Sequence, residues 1–214
     1  MIIAPSILSI DFTRFSEQLK QVNQSKATWI HFDVMDGYFV PNLTFGPDIL
    51  KAVKRSSDLF MDVHLMVSEP ERFVEMFAKA GCDQFTFHLE ATKEHDRTIS
   101  MIETIKSNGM KVGISVKPNT PIEAIDPYIT RVDLILIMSV EPGFGGQKFI
   151  EKSCERIAYA KSQVRQKNAT ALIQVDGGIN KQTAQMVKAA GVDVIVAGSY
   201  IFNQNIIEAV ESLC

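Results

Sequence analysis

Strand-like and helix-like segments alternate along the whole chain, and this alternation constrains the fold more than any other feature. Eight short apolar segments have the length and composition of buried strands. These predicted strands span residues 2–8, 28–35, 59–66, 84–88, 111–116, 134–138, 171–176 and 192–197. Amphipathic stretches of roughly helical period follow them, at residues 11–24, 47–55, 69–80, 96–108, 121–126, 150–166, 181–190 and 205–213. The alternation predicts an α/β fold with a parallel sheet.

Eight such units in 214 residues predict a closed (β/α)8 TIM barrel, formed as a single domain over residues 1–214. No linker, low-complexity tract or charge run indicates a second domain. The alternative is an open, doubly wound sheet. That fold would place a G-x-G-x-x-G turn just after the first strand, and residues 6–11 contain none.

Charge and cysteine content limit the classes of function. The formal net charge of −3 provides no basic field for nucleic acid or for a membrane surface, so neither is expected as a partner. Cys82, Cys154 and Cys214 are scattered without a CxxC spacing, which favours a reducing, cytoplasmic compartment and no disulfide framework. The N-terminus does not resemble a signal peptide, and no apolar run reaches transmembrane length.

Histidine and aspartate recur near the ends of the predicted strands. Side chains alternate between the two faces of a strand, so His31 and Asp33 share one face of the second strand. His64 lies near the end of the third strand, and Asp176 ends the seventh. In a (β/α)8 barrel the active site lies at the carboxyl ends of the strands. Two imidazoles and two carboxylates there predict a site for a divalent cation such as Zn, Fe(II), Mn or Co.

Other polar residues lie close to this set. Asp62 is one step deeper than His64 on the same face, and it is interpreted either as a carboxylate that orients the His64 ring or as a polar residue satisfied within the barrel. His88 either faces the cleft or plugs the barrel. His95 is assigned to a solvated helix start, and Asp36 to a turn.

Glycine-rich loops follow three consecutive predicted strands. They contribute Gly143, Gly145 and Gly146 after the sixth strand, Gly177 and Gly178 after the seventh, and Gly198 with Ser199 after the eighth. Glycine lets backbone N–H groups approach an anion closely. Loops after strands seven and eight form a recurrent phosphate site of barrels. None of the three loops contains Lys or Arg, so backbone amides are expected to hold the phosphate.

Methionines end three of the predicted strands. Met35, Met66 and Met138 close the second, third and sixth strands. A single methionine at a strand end is usually core filler. Three around one polar site are interpreted as a hydrophobic wall that excludes water from a reacting carbon.

Six motifs occur in a fixed order along the chain. They are Ser6-Ile-Leu-Ser with Asp11-Phe, His31-x-Asp-x-Met-Asp-Gly with Phe39-Val-Pro-Asn, Asp62-Val-His-Leu-Met-Val, Val140-Glu-Pro-Gly-Phe-Gly-Gly-Gln, Val175-Asp-Gly-Gly-Ile and Ala197-Gly-Ser. In their order and spacing, over essentially its full length, the chain resembles the ribulose-phosphate 3-epimerase family.

The resemblance implies a (β/α)8 barrel that interconverts D-ribulose 5-phosphate and D-xylulose 5-phosphate in the pentose phosphate pathway. It implies one divalent metal ion held by His31, Asp33, His64 and Asp176. Asp33 and Asp176 match the acid/base pair, which acts at C3 through a metal-stabilised enediolate. The positions that match substrate contacts are Ser6, His64, Gly143, Phe144, Gly145, Gly146, Gly177, Gly178, Gly198 and Ser199. The relatives also suggest a homo-oligomer, either a dimer or a hexamer.

Two departures from the family pattern lie away from the matched catalytic positions. Gln174 stands where many relatives are expected to have Glu, and the chain ends soon after the last predicted helix. Gln174 bears on the surroundings of the site, and the short C-terminus bears on oligomer packing.

Three other functions are alternatives to this one. A 3-epimerase of a ketohexose 6-phosphate, such as D-allulose 6-phosphate, would use the same chemistry, but the loops at residues 143–146 and 176–178 favour the pentose. A decarboxylase or aldolase on a related barrel would need an Asp-x-Lys-x-x-Asp cluster, which the sequence lacks. A non-catalytic sugar-phosphate-binding barrel is expected to have lost at least one metal-ligand or acid/base residue. All four such residues, His31, Asp33, His64 and Asp176, are present here.

Overall fold

The computed structural model describes residues 1–214 and contains one eight-stranded parallel sheet. The strands are β1 (Ile2–Pro5), β2 (Trp29–Met35), β3 (Phe60–Met66), β4 (Gln84–His88), β5 (Lys111–Val116), β6 (Leu134–Met138), β7 (Leu172–Asp176) and β8 (Val194–Ala197). From β2 to β8 each strand pairs with the next in sequence, and β1 pairs with β8. A bridge between Ser6 and His31 joins the two remaining edges. The sheet is therefore a nearly closed barrel, and the predicted (β/α)8 TIM barrel is confirmed.

Helices follow the strands and cover the outside of the barrel. They are α1 (Phe15–Gln24), α2 (Pro47–Ser56), α3 (Val74–Ala80), α4 (Leu89–Thr92), α5 (His95–Ser107), α6 (Ser153–Gln166), α7 (Lys181–Ala190), α8 (Ser199–Phe202) and α9 (Ile206–Leu213). Short 3₁₀ turns span Ile7–Ser9, Phe12–Arg14, Pro70–Phe73 and Ile122–Ile125. None of the helices combines the length and the apolar character needed to cross a membrane.

The core has two layers because a parallel barrel buries both faces of its strands. A large cluster of 54 buried apolar residues lies between the strands and the helices. A smaller cluster fills one side of the barrel interior with Ala4, Trp29, Leu134, Leu136, Met138, Val140, Val194 and Val196. At the amino-terminal end, Trp29 stacks on Phe60 with ring centroids 4.4 Å apart.

The other side of the interior is polar. Its inward-facing side chains come mainly from β2, β3 and β4 and include His31, Asp33, Asp62, His64, Gln84, Thr86 and His88, all of them buried. Buried polar groups are costly unless they are hydrogen-bonded or bind a ligand. The barrel thus concentrates its polar chemistry in one half of its interior.

The first strand ends earlier than predicted. β1 stops at Pro5, and residues 7–9 form a 3₁₀ turn because the Ser6 hydroxyl accepts a hydrogen bond from the Leu8 amide at 3.4 Å. Serine at the start of a helical turn satisfies an amide that the turn leaves unpaired. The apolar run at residues 7–8 by itself favours a longer strand, which is why the sequence predicts strand to residue 8.

The fifth unit of the barrel has no crossover α-helix. The segment predicted as a helix at residues 121–126 forms only the 3₁₀ turn Ile122–Ile125. Two short helices, α4 and α8, were not predicted, because four residues are too few to show a helical period.

Candidate active site

Four side chains predicted as metal ligands converge at the carboxyl end of the barrel. One possible ligand atom from each of His31, Asp33, His64 and Asp176 lies within 4.8 Å of the others. Asp33 Oδ1 is 3.2 Å from His31 Nε2 and 3.1 Å from His64 Nδ1. Asp176 Oδ2 lies 3.9 Å from His31 Nε2. The first three residues are buried, whereas the Asp176 side chain is 18% exposed and faces the cleft.

Strand register explains the convergence. In the β2–β3 ladder Asp33 pairs with His64, so the two side chains stand side by side on the inner face. Asp176 is the last residue of β7, three places from β2 around the barrel. Ser6 completes the set, because its hydroxyl donates to Asp33 Oδ2 at 2.6 Å.

Asp62 holds the ring of His31. Its Oδ2 accepts a hydrogen bond from His31 Nδ1 at 2.7 Å, and the amides of Gln84 and Gln174 donate to the same carboxylate. The interpretation that Asp62 orients His64 is wrong. Asp62 lies opposite His31 in the ladder, whereas His64 lies opposite Asp33. Gln174 bears on the site through this carboxylate.

The second histidine has a different set of neighbours. His64 Nε2 lies 2.9 Å from Nε2 of His88, whose Nδ1 lies 3.1 Å from Glu90 Oε2. His88 is completely buried and lines no part of the cleft; it is packed behind His64. Burial, as the main cause, lowers the pKa of His64 to about 4. His64 is therefore a neutral imidazole at pH 7, with a lone pair available for a cation.

The two carboxyl groups of the cluster differ in acidity. Burial and the neighbouring Asp33 carboxylate raise the pKa of Asp176 to about 7. Burial acts on Asp33 too, but His31 and His64 outweigh it and hold the pKa of Asp33 below its usual value. Burial also opposes charge on His31, yet Asp33 and Asp62 hold its pKa well above normal. At neutral pH Asp33 is ionised, while Asp176 titrates near neutrality.

The cluster fits a divalent metal ion. His31 Nε2 is buried and makes no hydrogen bond, although a carboxylate oxygen lies 3.2 Å away. Two carboxylates in one buried cluster repel each other unless positive charge lies between them. Imidazole and carboxylate donors suit borderline cations. One cation bound at the cluster would bind His31 Nε2 and would offset the repulsion between the Asp33 and Asp176 carboxylates.

The three glycine-rich loops line a cleft above this cluster. The cleft also includes every other residue predicted to contact the substrate except His64, which is buried beneath it. Residues not predicted as site residues also line it: Leu8, Ser9, Val140, Pro142, Gln147, Ile179, Val196 and Ala197. Ser9 ends the 3₁₀ turn after β1, and Gln147 ends the motif that begins at Val140. Both belong to the motifs that carry the family resemblance, and that membership is the sequence signal for them.

The amides of the last two loops are unpaired. The N–H groups of Gly177, Gly178, Gly198 and Ser199 donate to no acceptor within the chain. No Lys or Arg side chain lines the cleft. Unpaired amides gathered in one loop cluster are typical of a site for a phosphate or carboxylate. The cleft therefore offers backbone donors rather than cationic side chains.

Two glycines are required by close backbone packing. Gly178 has φ +65°, and a Cβ there would lie 2.5 Å from the backbone nitrogen of Phe149. A Cβ on Gly198 would lie 2.5 Å from Ser9 Oγ. Any side chain at these positions would push the loops apart and displace the unpaired amides.

The loop at residues 141–147 is fastened from two sides. Gln147 donates to the carbonyls of Glu141 and Phe144 at 2.6 and 2.8 Å. Asn42 donates to the Gly143 carbonyl at 2.7 Å. Phe144 remains 55% exposed at the rim of the cleft.

Asp36 lies in a turn, as the sequence predicts. Its carboxylate accepts hydrogen bonds from the amides of residues 38, 39 and 68.

The three methionines lie together against the cleft. Met35 and Met66 are paired in the β2–β3 ladder, and Met138 ends β6 on the apolar side of the interior. All three line the cleft and are at most 4% exposed. The cluster of acids and imidazoles therefore has an apolar wall beside it.

Comparison with known proteins gives a consistent result. A family model described as Ribulose-phosphate 3 epimerase family matches residues 2–202. The ribulose-phosphate 3-epimerase of Bacillus subtilis is 46% identical over 204 residues, covering 95% of this chain and 93% of that protein. The enzyme of that name from Chlamydia trachomatis is 42% identical over 215 residues, covering 100% of this chain and 91% of the relative.

Solved structures that resemble the chain at low identity support the fold. KGPDC from Streptococcus mutans in complex with D-R5P has a TM-score of 0.73 at 11% identity, covering 99% of this chain and 94% of that one. A 3-hexulose-6-phosphate synthase has a TM-score of 0.68 at 16% identity, covering 100% and 98%. Because the family model and the two close relatives extend over almost the whole sequence, the chain belongs to the ribulose-phosphate 3-epimerase family.

Proposed function

We propose that the chain is a metal-dependent 3-epimerase that interconverts D-ribulose 5-phosphate and D-xylulose 5-phosphate in the pentose phosphate pathway. The observation that carries this proposal is the pair of carboxylates, Asp33 and Asp176, in one cluster with two imidazoles beside a cleft of unpaired amides. Family membership supports the substrate class, because the relatives are named for this reaction.

Epimerisation next to a ketone needs a proton removed from carbon and another returned to the opposite face. Asp33 is ionised at neutral pH and so is able to accept the C3 proton of ribulose 5-phosphate. Asp176, whose pKa of about 7 keeps a proton within reach, is suited to deliver one to the other face. The two residues belong to β2 and β7, so they approach the cleft from separate directions.

His31, Asp33, His64 and Asp176 would hold the metal ion, and Zn, Fe(II), Mn and Co all suit these donors. When bound, such a cation supplies Lewis-acid stabilisation of the negative charge that develops on the substrate oxygens. Ser6 holds Asp33 Oδ2 and so fixes the orientation of the base. Asp62 fixes the ring of His31 in the same way.

The rest of the cleft would bind and shield the sugar phosphate. The unpaired amides of Gly177, Gly178, Gly198 and Ser199 are suited to the phosphate oxygens. The loop from Gly143 to Gly146 would cover the substrate, with Phe144 at the rim. Met35, Met66 and Met138 would exclude water from the reacting carbon, which protects the carbanion-like intermediate.

A coupled epimerase assay on chelator-treated protein tests the proposal. Activity should be lost with the metal and return on adding back Zn, Fe(II), Mn or Co. Incubation with ribulose 5-phosphate in D₂O should place deuterium at C3. Sugar-phosphate binding without exchange would contradict epimerisation and indicate a binding protein. Faster turnover of D-allulose 6-phosphate in a parallel assay would reassign the substrate to a ketohexose.

We also propose a homo-oligomer, a dimer or a hexamer, in the cytoplasm. Three large apolar side chains are exposed on loops after β1 and β2: Phe12 is 54%, Tyr38 90% and Leu43 73% accessible. Exposed apolar side chains that cluster on one end of a molecule favour association. The three free cysteines support a reducing compartment. Sedimentation velocity of the purified protein measures the oligomeric state, and a monomer at micromolar concentration would contradict it.

A further inference from the structure

His88 and Glu90 form a row behind His64 that the proposed reaction does not use. We propose that Glu90 acts through His88 to fix which ring nitrogen His64 presents to the metal ion, and that both are positioning residues. The inference rests on the proposed function insofar as that function includes a metal ion. It is carried by two fully buried imidazoles and a carboxylate that is 22% exposed, joined in a row by hydrogen bonds.

At the outer end of the row, the ionised Glu90 carboxylate can accept hydrogen bonds but cannot donate them. The Glu90 carboxylate accepts from the Lys117 amide at 2.8 Å and from the Thr120 hydroxyl through Oε1. Its Oε2 lies 3.1 Å from His88 Nδ1. Burial opposes the charge on Glu90, but its donors, His88 first, lower the pKa of Glu90 to about 2. An ionised carboxylate only accepts hydrogen bonds, so His88 Nδ1 carries the proton.

That assignment determines the next contact. A neutral imidazole with a proton on Nδ1 has a lone pair on Nε2. His88 Nε2 faces His64 Nε2 at 2.9 Å, and two ring nitrogens attract at that distance only when one donates. His64 Nε2 is therefore the donor. His64 Nδ1 is then left without a proton 3.1 Å from Asp33 Oδ1, so a cation bound at the cluster would be held by these two acceptor atoms together.

Water cannot replace His88 as the partner of His64 Nε2. His64 and His88 are fully buried. The ring of Phe39 covers His88 with centroids 4.9 Å apart, and Lys117 Nζ lies 3.9 Å above the Phe39 ring. If the acceptor on His88 were lost, the Nε2 proton of His64 would be buried without a partner. The ring would then gain by moving that proton to Nδ1, where it would block the metal ion.

Replacing Glu90 by glutamine would break at least one hydrogen bond, because donors face both oxygens of the carboxylate. One carboxylate oxygen serves His88, and the other serves the Lys117 amide and the Thr120 hydroxyl. The side chain of Glu90→Gln has a single acceptor oxygen. Its NH₂ group must face either His88 Nδ1, which reverses the row, or the donors of the 117–120 loop. Glu94, four residues further on, is exposed and has no side-chain bond, so Glu94→Gln is a matched control.

The experiment measures Zn²⁺ affinity of chelator-treated protein by competition with a chromogenic chelator, together with ¹⁵N spectra of the imidazoles. We expect His88→Leu, which has no acceptor, to bind Zn²⁺ about 10- to 100-fold more weakly than the wild type. His88→Gln keeps an acceptor oxygen near the former Nε2 position and should recover most of the affinity. Glu90→Gln should weaken binding, and Glu94→Gln should not. In the wild type, His88 should be protonated at Nδ1 and not at Nε2.

Specific results would overturn the proposal. A wild-type His88 protonated at Nε2, or a folded His88→Leu protein with wild-type Zn²⁺ affinity, would do so while leaving the epimerase proposal intact. A wild type that binds none of Zn²⁺, Fe²⁺, Mn²⁺ and Co²⁺ would overturn both. Circular dichroism establishes folding of each variant, and if His88→Leu does not fold, Glu90→Gln decides by the same two measurements.

Discussion

Asp33 and Asp176 are chemically identical side chains, and their surroundings make them different acids. Asp33 is fully enclosed, receives a hydrogen bond from Ser6 and lies between two imidazoles. Asp176 receives no side-chain hydrogen bond that would offset its burial, so burial and the charge of Asp33 raise its pKa. This difference in acidity supports the proposed roles of Asp33 as the base and Asp176 as the acid.

Replacing the proposed acid should stop the reaction and leave the fold intact. Asp176→Asn keeps the shape of the side chain but cannot transfer a proton. We expect turnover to fall by about 10²–10⁴-fold. Steady-state epimerase assays measure the loss, and circular dichroism together with metal analysis serve as controls. Substantial residual turnover in a metal-loaded variant would remove Asp176 from the role of acid.

Glu90 should stabilise the folded chain in a defined pH range. Its pKa falls from 4.5 to about 2 on folding, so the unfolded chain binds the proton more tightly. The stabilisation is therefore complete above about pH 4.5 and is lost as the pH falls towards 2. Its size is on the order of 3 kcal/mol.

Urea unfolding of wild type and Glu90→Gln across pH 7 to 3 tests this effect. The difference in unfolding free energy should be largest near neutrality and should shrink below pH 4.5. The Glu94→Gln protein should follow the wild type. A constant difference over the whole range would show that the carboxylate charge is not the cause.

At the level of the element, the loops after β7 and β8 depend on close backbone approach. Gly178→Ala combines an unfavourable φ with a Cβ 2.5 Å from the Phe149 backbone. Gly109 has a similar φ of +78° but nothing within 4 Å of the added Cβ. Gly109→Ala should therefore cost only the conformational penalty of about 1 kcal/mol.

Gly178→Ala should cost more stability than Gly109→Ala and should also raise KM for the sugar phosphate. The added methyl group displaces the amides of residues 177 and 178, whereas residue 109 is remote from the cleft. Thermal unfolding and steady-state kinetics on both variants measure the two effects. Equal KM values for the two variants would argue against a phosphate contact at this loop.

The metal ion should act on the whole molecule, because its proposed ligands join three strands, β2, β3 and β7. A ligand that binds only the folded state stabilises it by about 4 kcal/mol when present at 1,000 times its Kd. Chelator-treated protein should therefore unfold at a lower temperature, and excess Zn²⁺ should restore the loss. Differential scanning calorimetry measures both transitions, and identical transitions with and without Zn²⁺ would contradict a metal site.

Much of the architecture was predictable because each strand is short, apolar and flanked by helical periodicity. β4, β5 and β6 begin and end at the predicted residues. The end of β1 was not predictable from hydrophobicity, because a single hydroxyl, that of Ser6, converts the apolar run into a turn. Short helices such as α4 and α8 leave no period to detect.

The residues of the candidate site were predictable from the sequence, but not all of the hydrogen bonds between them. Alternation within a strand places His31 beside Asp33, and His64 near Asp62, on known faces. It does not give the register between strands, and that register decides that Asp62 serves His31. The role of His88 was open for the same reason, since its neighbours come from β3 and from the residues that follow β4.

The pairing of β1 with β8 has a consequence for the order in which the chain can mature. Ser6, which holds the proposed base, is fastened to the Ala197 carbonyl at 2.9 Å, and Ser9 packs against Gly198. Ser6 and Ser9 must therefore wait for the synthesis of β8 before they reach their final positions. A nascent chain already carries His31, Asp33 and His64, but the proposed catalytic centre is complete only once β8 has been made, so chains that lack β8 are expected to be inert.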